Sequence, residues 1–425
     1  MKKIILTNVR FEDLWTRFSR TEKHLCCTRN SGRGGWDSFI AWNPSAVFVG
    51  NKYTGIENWK NFVRKEQASG RRIFGYLSYD LGYSLLNIKP KARNYLNLPE
   101  IYFYSFDKYL LCHKNSIEIC APNRKELKRF SEEVRNVLKR PTNERKSASA
   151  LTGSELKTIT TLSKYSKQFE KIRNYIIDGH VYQTNLTHTL EGETEKSPRR
   201  LFLEVFKKNK ADFSAYMECQ GFEIISASPE RFIKISPDRV IETFPIKGTR
   251  PRGKTPLEDR ELRSELEKSE KESAELFMIT DLLRNDVGKI CEFGSVSVMH
   301  PRLMRSLPSV WHSFSHIKGK LKKGIRSADA LLSMFPGGSI SGCPKKRALE
   351  VIDEVEHRMR GIYTGAIGFI DPDDTLDFNL AIRTFVKKKQ KVYLSVGGGI
   401  VFDSKIKDEY KETLDKAKSF FGILK

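Results

Sequence analysis

Between Phe222 and Phe244 three short apolar runs, FEIISA, RFIKI and VIETF, follow one another with only turn residues between them. Strands this close in sequence leave no room for a crossover helix, so they must pair antiparallel. The same punctuation recurs at Ile73 to Tyr79, Ile101 to Tyr104 and Tyr109 to Cys112, and again at Ala366 to Ile370, Phe378 to Val386 and Val392 to Val396. VYQTNLTHTL alternates as a strand does, placing Gln183, Asn185 and Thr187 on one side. Tyr165, Phe169, Ile172 and Ile176 instead recur at helical spacing, and Gly179 ends that helix. The pattern predicts further helices over about 126–139, 256–286, 326–333, 344–354 and 405–421. The fold class expected is α+β, with antiparallel sheets in a sandwich and helices packed outside. RPTNERKSASALTGSE, Arg140 to Glu155, is polar and rich in Ser and Thr. It marks a connector between an N-terminal region, 1–145, and a catalytic domain, 146–425.

Composition narrows the function classes. A chain of 425 residues with 26 Phe and 15 Tyr carries enough apolar surface for a large core. The net charge of +23 invites a nucleic-acid reading, but 75 Lys and Arg are interleaved with 52 acids along the whole length. No recognition-helix, zinc-finger or RNA-binding signature accompanies them, so no nucleic-acid partner is expected. A basic field of this kind still concentrates a small polyanion. No apolar run reaches the ~18 residues of a membrane span, and the start, MKKIILT, is too short for a signal peptide. Seven cysteines without a CxxC suit a reducing compartment. A cytoplasmic protein without a membrane partner is expected.

Three kinds of residue stand out chemically. Glu272 and Glu275 share a face of KESAELFMITDLLRND. Glu409, Glu412 and Lys416 form a polar stripe on KDEYKETLDKAKSFF, beside an apolar stripe of Tyr410, Leu414, Ala417 and Phe421. Two helices each offering a carboxylate pair can hold one hard cation, although the same pattern also describes a solvated, ion-paired face. Glycine clusters occur in FPGGSISGCPKK, RGIYTGAIG and SVGGGIVFD, with neither Walker nor GxGxxG spacing, so no nucleotide is implied. Gly397 to Gly399 follow a strand, where exposed N–H groups can hold a carboxylate or simply make a turn. Lys247 lies in FPIKGTRPRG, bracketed by prolines, a setting that suits a desolvated nucleophilic amine as well as a loop lysine.

From Lys164 onward the blocks VYQTNLT, ASPERF, PIKGTRPRG, KESAELFMITDLLRNDVG, FPGGSISGCPK, RGIYTGAIGFI, DFNLAIRT and VGGGIVFDSKIKDEYKETLDKA occur in one order. In this the chain resembles the chorismate-utilising enzymes: anthranilate and aminodeoxychorismate synthase components I, isochorismate synthases and salicylate synthases. The N-terminal third resembles them more loosely, chiefly at GYLSYDLGY. The resemblance implies Mg²⁺ as cofactor, with Glu275 and Glu412 as principal ligands and Glu272 and Glu409 as water-mediated or alternative ones. It implies that Arg383, Tyr363, the backbone of Gly397, Gly398 and Gly399, and Lys416 grip the enolpyruvyl carboxylate of chorismate. Ser339 and His312 would line the ring site, and Glu230 would protonate the departing 4-hydroxyl. The water-adding relatives carry a lysine base where this chain has Gln183, and an amide cannot deprotonate water. Aminodeoxychorismate synthases usually read PIKGT and anthranilate synthases PIAGT, so the resemblance implies Lys247 as a covalent nucleophile and 4-amino-4-deoxychorismate, the precursor of 4-aminobenzoate and folate, as product. Anthranilate formation is the alternative. No G-x-C-x-G glutaminase block is present, so ammonia is expected from a separate glutamine amidotransferase subunit and pyruvate elimination from another enzyme. Phe244, Ser341 and Cys343 depart from the residues common in the family.

Overall fold

The computed structural model describes residues 1–19, 21–30, 35–142, 152–306 and 310–425. Among these residues the strands form two sheets, one of twelve and one of ten. The elements that build the site are β1 (Gln183–Glu193), β2 (Phe222–Ser228), β3 (Arg231–Ile235), β4 (Ile246–Pro251), α1 (Pro256–Lys268), α2 (Glu270–Ile290), β5 (Val310–Lys320), α3 (Lys345–Glu356), β6 (Ala366–Ile370), β7 (Leu376–Leu380), β8 (Thr384–Lys388), β9 (Lys391–Ile400) and α4 (Ile406–Ala417). β1, β2, β8 and β9 belong to the larger sheet and β3 to β7 to the smaller. Their ladders are antiparallel, as the short connections require.

The N-terminal third supplies strands to both sheets. Cys26–Arg29 pairs with Phe213–Cys219 in the larger one, and Arg72–Leu77 pairs with β6 in the smaller. The centre of the expected connector, 143–151, lies outside the described residues. Between the sheets sits an aromatic layer to which both contribute: Phe39, Phe213 and Phe222 from one, Phe74, Tyr76 and Phe369 from the other. Phe74 meets Phe39 edge to face at 5.1 Å, a favoured geometry for two quadrupoles. No helix among the described residues is long and apolar enough to cross a membrane.

The structure departs from the sequence pattern at two places. The run Phe378 to Val386 is not one strand. It is β7 in the smaller sheet and β8 in the larger, separated by Ala381–Arg383, with Arg383 at φ +51°. The run Leu380–Ala381–Ile382 is apolar and the break carries no Gly or Pro, so the sequence offers no turn signal there. The helix expected over 256–286 is likewise two, α1 and α2, divided at Ser269. Ser269 accepts a hydrogen bond from the Glu272 backbone N–H and so starts α2 anew.

A second crossing lies beside the first. Between β2 and β3 the chain passes from the larger sheet to the smaller through Ser228, Pro229 and Glu230. The two crossings are tied together: Ser228 Oγ donates to Leu380 O at 2.6 Å, Leu380 N to Glu230 O at 3.1 Å, and Ala227 N to Arg383 O at 3.0 Å. Strands that switch sheets make the corner of the sandwich, and Glu230 and Arg383 are set on it.

Because the inter-sheet layer draws on both halves of the chain, Phe74→Ala should lower stability by about 3–5 kcal/mol. Denaturant unfolding followed by near-ultraviolet dichroism should shift as one transition. A variant in which residues 152–425 unfold at the wild-type midpoint would contradict the shared core.

Candidate active site

Lys247 owes its position to a bulge. In the β4–β5 ladder Ile246 pairs with Phe314 and Thr249 with His312, and the register slips between them. Lys247 and Gly248 lie in that slip, and Gly248 has φ +85°, a left-handed conformation that glycine adopts without a Cβ penalty. A bulge re-aims the side chain beside it. A Cβ at Gly248 would also lie 2.6 Å from Glu272 Oε2, so the glycine is needed for close approach. The amine, redirected, stands 3.6 Å from Glu275 Oε2, with Lys247 and Glu275 only 14% and 17% exposed.

The second wall is the β1–β9 ladder. Gly397, Gly398 and Gly399 are inside β9 and pair with Thr187, Leu186 and Asn185; they are not the turn that a glycine triplet after a strand allows. Their missing side chains leave room for neighbours. A Cβ on Gly399 would lie 2.5 Å from Gln183 Nε2 and 3.2 Å from Lys247 Nζ, and one on Gly398 would lie 3.4 Å from Glu409 Oε2 and 4.0 Å from Lys416 Nζ. The structure therefore brings Gln183, Lys247, Glu275, Glu409 and Lys416 around one short stretch of glycine backbone. Lys416 donates to Gly397 O at 2.9 Å.

Glu230 reaches the same region from the corner. Ser339 Oγ, on the 3-10 turn Gly338–Ile340, donates to its Oε1 at 3.3 Å. Burial pushes the Glu230 carboxyl up to about 7 against the opposing charge of Lys247, the Ser339 hydrogen bond and Lys416. Arg383, lowered by burial and partly restored by the negative charge of Glu230, faces it. His312 accepts or donates at Nδ1 to Thr249 Oγ1 at 2.9 Å. Burial, reinforced by Arg383, drives its pKa down to about 3, so His312 is neutral. Tyr363 is buried in the turn before β6, its phenol pushed up by that burial.

The acidic helices differ from the stripes read in the sequence. On α4 the buried residues are Glu409, Thr413 and Ala417, whereas the Glu412 side chain is 57% exposed. Each carboxylate has a cationic neighbour: Glu272 takes Arg250 at 2.8 Å, Glu275 takes Lys247, Glu409 takes Lys271 at 3.5 Å and Glu412 takes Lys416 at 2.8 Å. Among the described residues no three such side chains close into a cation cage. The donor set nevertheless fits a hard dication in its chemistry. Burial raises the Glu409 carboxyl against a Ser404 hydrogen bond, and the charges of Glu412 and Glu275 raise it further, so the acids crowd one another. Glu272 Oε2 is buried with no hydrogen-bond partner among the described residues.

That orphan is one of a group. Of fourteen buried side-chain atoms without a partner among the described residues, five belong here: Gln183 Nε2 and Oε1, Asn185 Oδ1, Glu272 Oε2 and His312 Nε2. Each unmet polar group costs about 1–3 kcal/mol in a folded protein. Their concentration beside Lys247, Lys416 and Arg383 leaves both donors and acceptors open to a polar ligand, with cationic side chains close by. Two clefts of about 350 and 880 Å³ lie elsewhere, lined by Lys60 and Asp329 in one and by Glu223 and Lys387 in the other.

Sequence reasoning missed Thr249, Arg250, Lys271 and Ser404, which hold His312, Glu272 and Glu409. Thr249 and Arg250 lie in the same PIKGTR block as Lys247, and Ser404 precedes α4 in the FDS turn; both were signals. Of the departures, Phe244 stacks on His316 with ring centroids 4.4 Å apart, Ser341 Oγ donates to Gly337 O at 2.9 Å, and Cys343 pairs with Gln183 in a short ladder.

The Glu230 shift has a consequence for stability. Its folded pKa, about 7, lies above the ordinary 4.5, so the folded chain retains a proton that the unfolded chain releases. The group's contribution to stability is complete below the unfolded value and is lost as pH rises through the folded one. Glu230→Gln should therefore flatten the fall in unfolding free energy across that window, measured by denaturant titration at several pH values. Parallel slopes for the two proteins would return Glu230 to an ordinary carboxyl.

A family model described as chorismate binding enzyme matches residues 25–422. Aminodeoxychorismate synthase component 1 of Bacillus subtilis (strain 168) is 34% identical over 458 aligned positions, covering 98% of this chain and 95% of that protein. An anthranilate synthase component 1 of Haloarcula marismortui is 44% identical over 60% of this chain, and the chain spans 50% of that relative's own length. The crystal structure of anthranilate synthase component I from Streptococcus pneumoniae TIGR4 superposes with a TM-score of 0.80 at 26% identity, covering 92% of this chain and 93% of that one. With a family match over nearly its whole length, and an alignment that runs almost end to end along the Bacillus protein, the chain belongs to the chorismate-binding enzyme family.

Proposed function

We propose that this protein aminates chorismate at C4, giving 4-amino-4-deoxychorismate, with ammonia from a glutamine amidotransferase partner. The observation that carries the reading is the Lys247 amine, re-aimed by the Gly248 bulge into a site whose other wall presents the Gln183 amide rather than a base. The neutral amine would attack ring C2. The C1=C2 pair moves to C1=C6, the C5=C6 pair to C4=C5, and the C4–O bond breaks. Glu230, protonated near neutrality, gives its proton to the departing oxygen, which leaves as water. Ammonia then adds at C4, the two π pairs return, and the C2–N bond to Lys247 breaks as that amine regains a proton. Double displacement explains why nitrogen ends at C4 rather than C2.

Arg383 and Lys416 supply positive charge for the carboxylates of the substrate, and neutral His312 offers a hydrogen bond without adding charge. Glu272, Glu275, Glu409 and Glu412 would hold a Mg²⁺ ion, which would neutralise substrate charge when bound. Glu275, one of these four, is paired with Lys247 at 3.6 Å. The cytoplasm, where chorismate and reduced thiols coexist, is the compartment that suits the seven unbridged cysteines.

A second reading, anthranilate synthesis, is favoured by the names of the Haloarcula and Streptococcus relatives. One assay separates the two. With chorismate, Mg²⁺ and an ammonium salt, the protein should yield 4-aminobenzoate only after a lyase is added, and Lys247→Ala should lose that product. Fluorescent anthranilate from the wild-type protein without lyase would establish the second reading instead.

A further inference from the structure

A buried guanidinium lies behind the site. Arg360 is 7% exposed, and its five donors are all placed. Nε donates to Glu356 Oε2 at 3.0 Å; Nη1 to Ile340 O at 3.0 Å and Thr364 Oγ1 at 3.5 Å; Nη2 to Glu356 Oε1 at 2.7 Å and Asn185 O at 2.9 Å. Its plane lies over the Tyr79 ring, 4.6 Å from the centroid. Glu356, at the end of α3, also accepts from Thr187 N at 3.0 Å. The backbone N–H groups of Arg360 and Gly361 donate to the Asp80 carboxyl at 3.0 and 2.9 Å.

The two carbonyls it holds are informative. Ile340 ends the turn that presents Ser339 to Glu230, and Asn185 lies two residues along β1 from Gln183. Tyr363 follows Arg360 in the same turn. One side chain thus joins its own turn to two other segments, the turn that presents Ser339 to Glu230 and the strand that carries Gln183. Burying an Arg–Glu pair is poor value as stabilisation alone, because desolvation offsets most of the attraction and apolar pairs of similar volume often do as well. What an apolar pair cannot do is hold two carbonyls from separate segments in fixed directions, and the planar five-donor fork is the side chain suited to that.

We propose that Arg360, set by Glu356, is a positioning residue for the chorismate site, fixing Ser339 against Glu230 and the start of β1 against Lys247. The inference rests on the chorismate reading above. Glu230 is faced by Lys247 from β4, the Ile246 backbone, Ser339, Lys416 from α4 and Arg383 from the corner. Of these, Ser339 is the one that Arg360 governs through Ile340.

Chorismate consumption tests it in the wild type, in Arg360→Lys and in the double variant Arg360→Met/Glu356→Leu, with Tm measured for each. Lysine brings three donors where five are used, and misplacement of the site should lower kcat on the order of 10²-fold. The change in KM should be smaller. The Ser339 hydrogen bond holds the Glu230 carboxyl down, so its loosening should move the alkaline limb of the kcat profile to higher pH. The double variant removes both charges together, a replacement that often leaves folding intact, and should show the same loss of kcat. A wild type that does not consume chorismate refutes the functional reading itself. Wild-type turnover, with kcat and the alkaline limb unchanged in a folded variant whose Tm alone has fallen, reduces Arg360 to a structural ion pair and overturns the proposal.

Discussion

The site depends on two strands that change sheets side by side. Where β2 becomes β3 and β7 becomes β8, the Ser228 hydroxyl and two backbone N–H groups lock the crossings together. That junction puts a carboxyl, Glu230, and a cation, Arg383, at the corner of the sandwich. The strands next to the corner, Phe213–Cys219 beside β2 and β6 beside β7, are in turn paired to strands of the N-terminal third. A loosened aromatic layer would be felt at the corner, because the sheets it joins are the ones whose crossing aligns Glu230 with Arg383.

Around that corner the protein solves a problem of like charges. On the proposed reading a dianionic ligand would need cations, and a hard metal ion carboxylates, within one small volume. Here each site acid has a basic neighbour, Arg250, Lys247, Lys271 or Lys416, so neither set stands uncompensated. The three glycines of β9 make the arrangement possible. Register fixes them opposite Asn185, Leu186 and Thr187, and a slip of one residue would turn side chains into the space that Gln183 and Lys247 occupy. The basic excess of the whole chain, +23, adds a field that favours arrival of an anion.

Much of this was legible in the sequence because the blocks are local. Lys247 beside Gly248, Glu272 beside Glu275 and the ASPERF turn each carry their meaning within a few residues. What was not legible depends on partners distant in the chain. No Gly or Pro interrupts Phe378 to Val386, yet the chain turns out of one sheet at Ala381 and into the other at Thr384. The acidic run through Ser269 read as one helix because Ser, Lys and Glu all tolerate helical conformation; the cap that divides it is a single hydrogen bond. On α4 the apolar pattern favoured burial of Tyr410 and Leu414, while tertiary packing buried Glu409. Arg360 gave no signal, since an arginine in a basic chain is ordinarily a surface residue. Its role appears only when Ile340 and Asn185 are seen on either side of it.

In the proposed mechanism the Lys247 amine forms a bond to the ring. Intact-mass spectrometry of the protein incubated with chorismate and Mg²⁺ in the absence of ammonia tests it most directly. Added mass equal to chorismate less water is expected, carried by the peptide containing FPIKGTR, discharged on addition of ammonium and absent from Lys247→Ala. Turnover to 4-amino-4-deoxychorismate by Lys247→Ala at the wild-type rate, with no adduct on the wild-type protein at any pH, would contradict it.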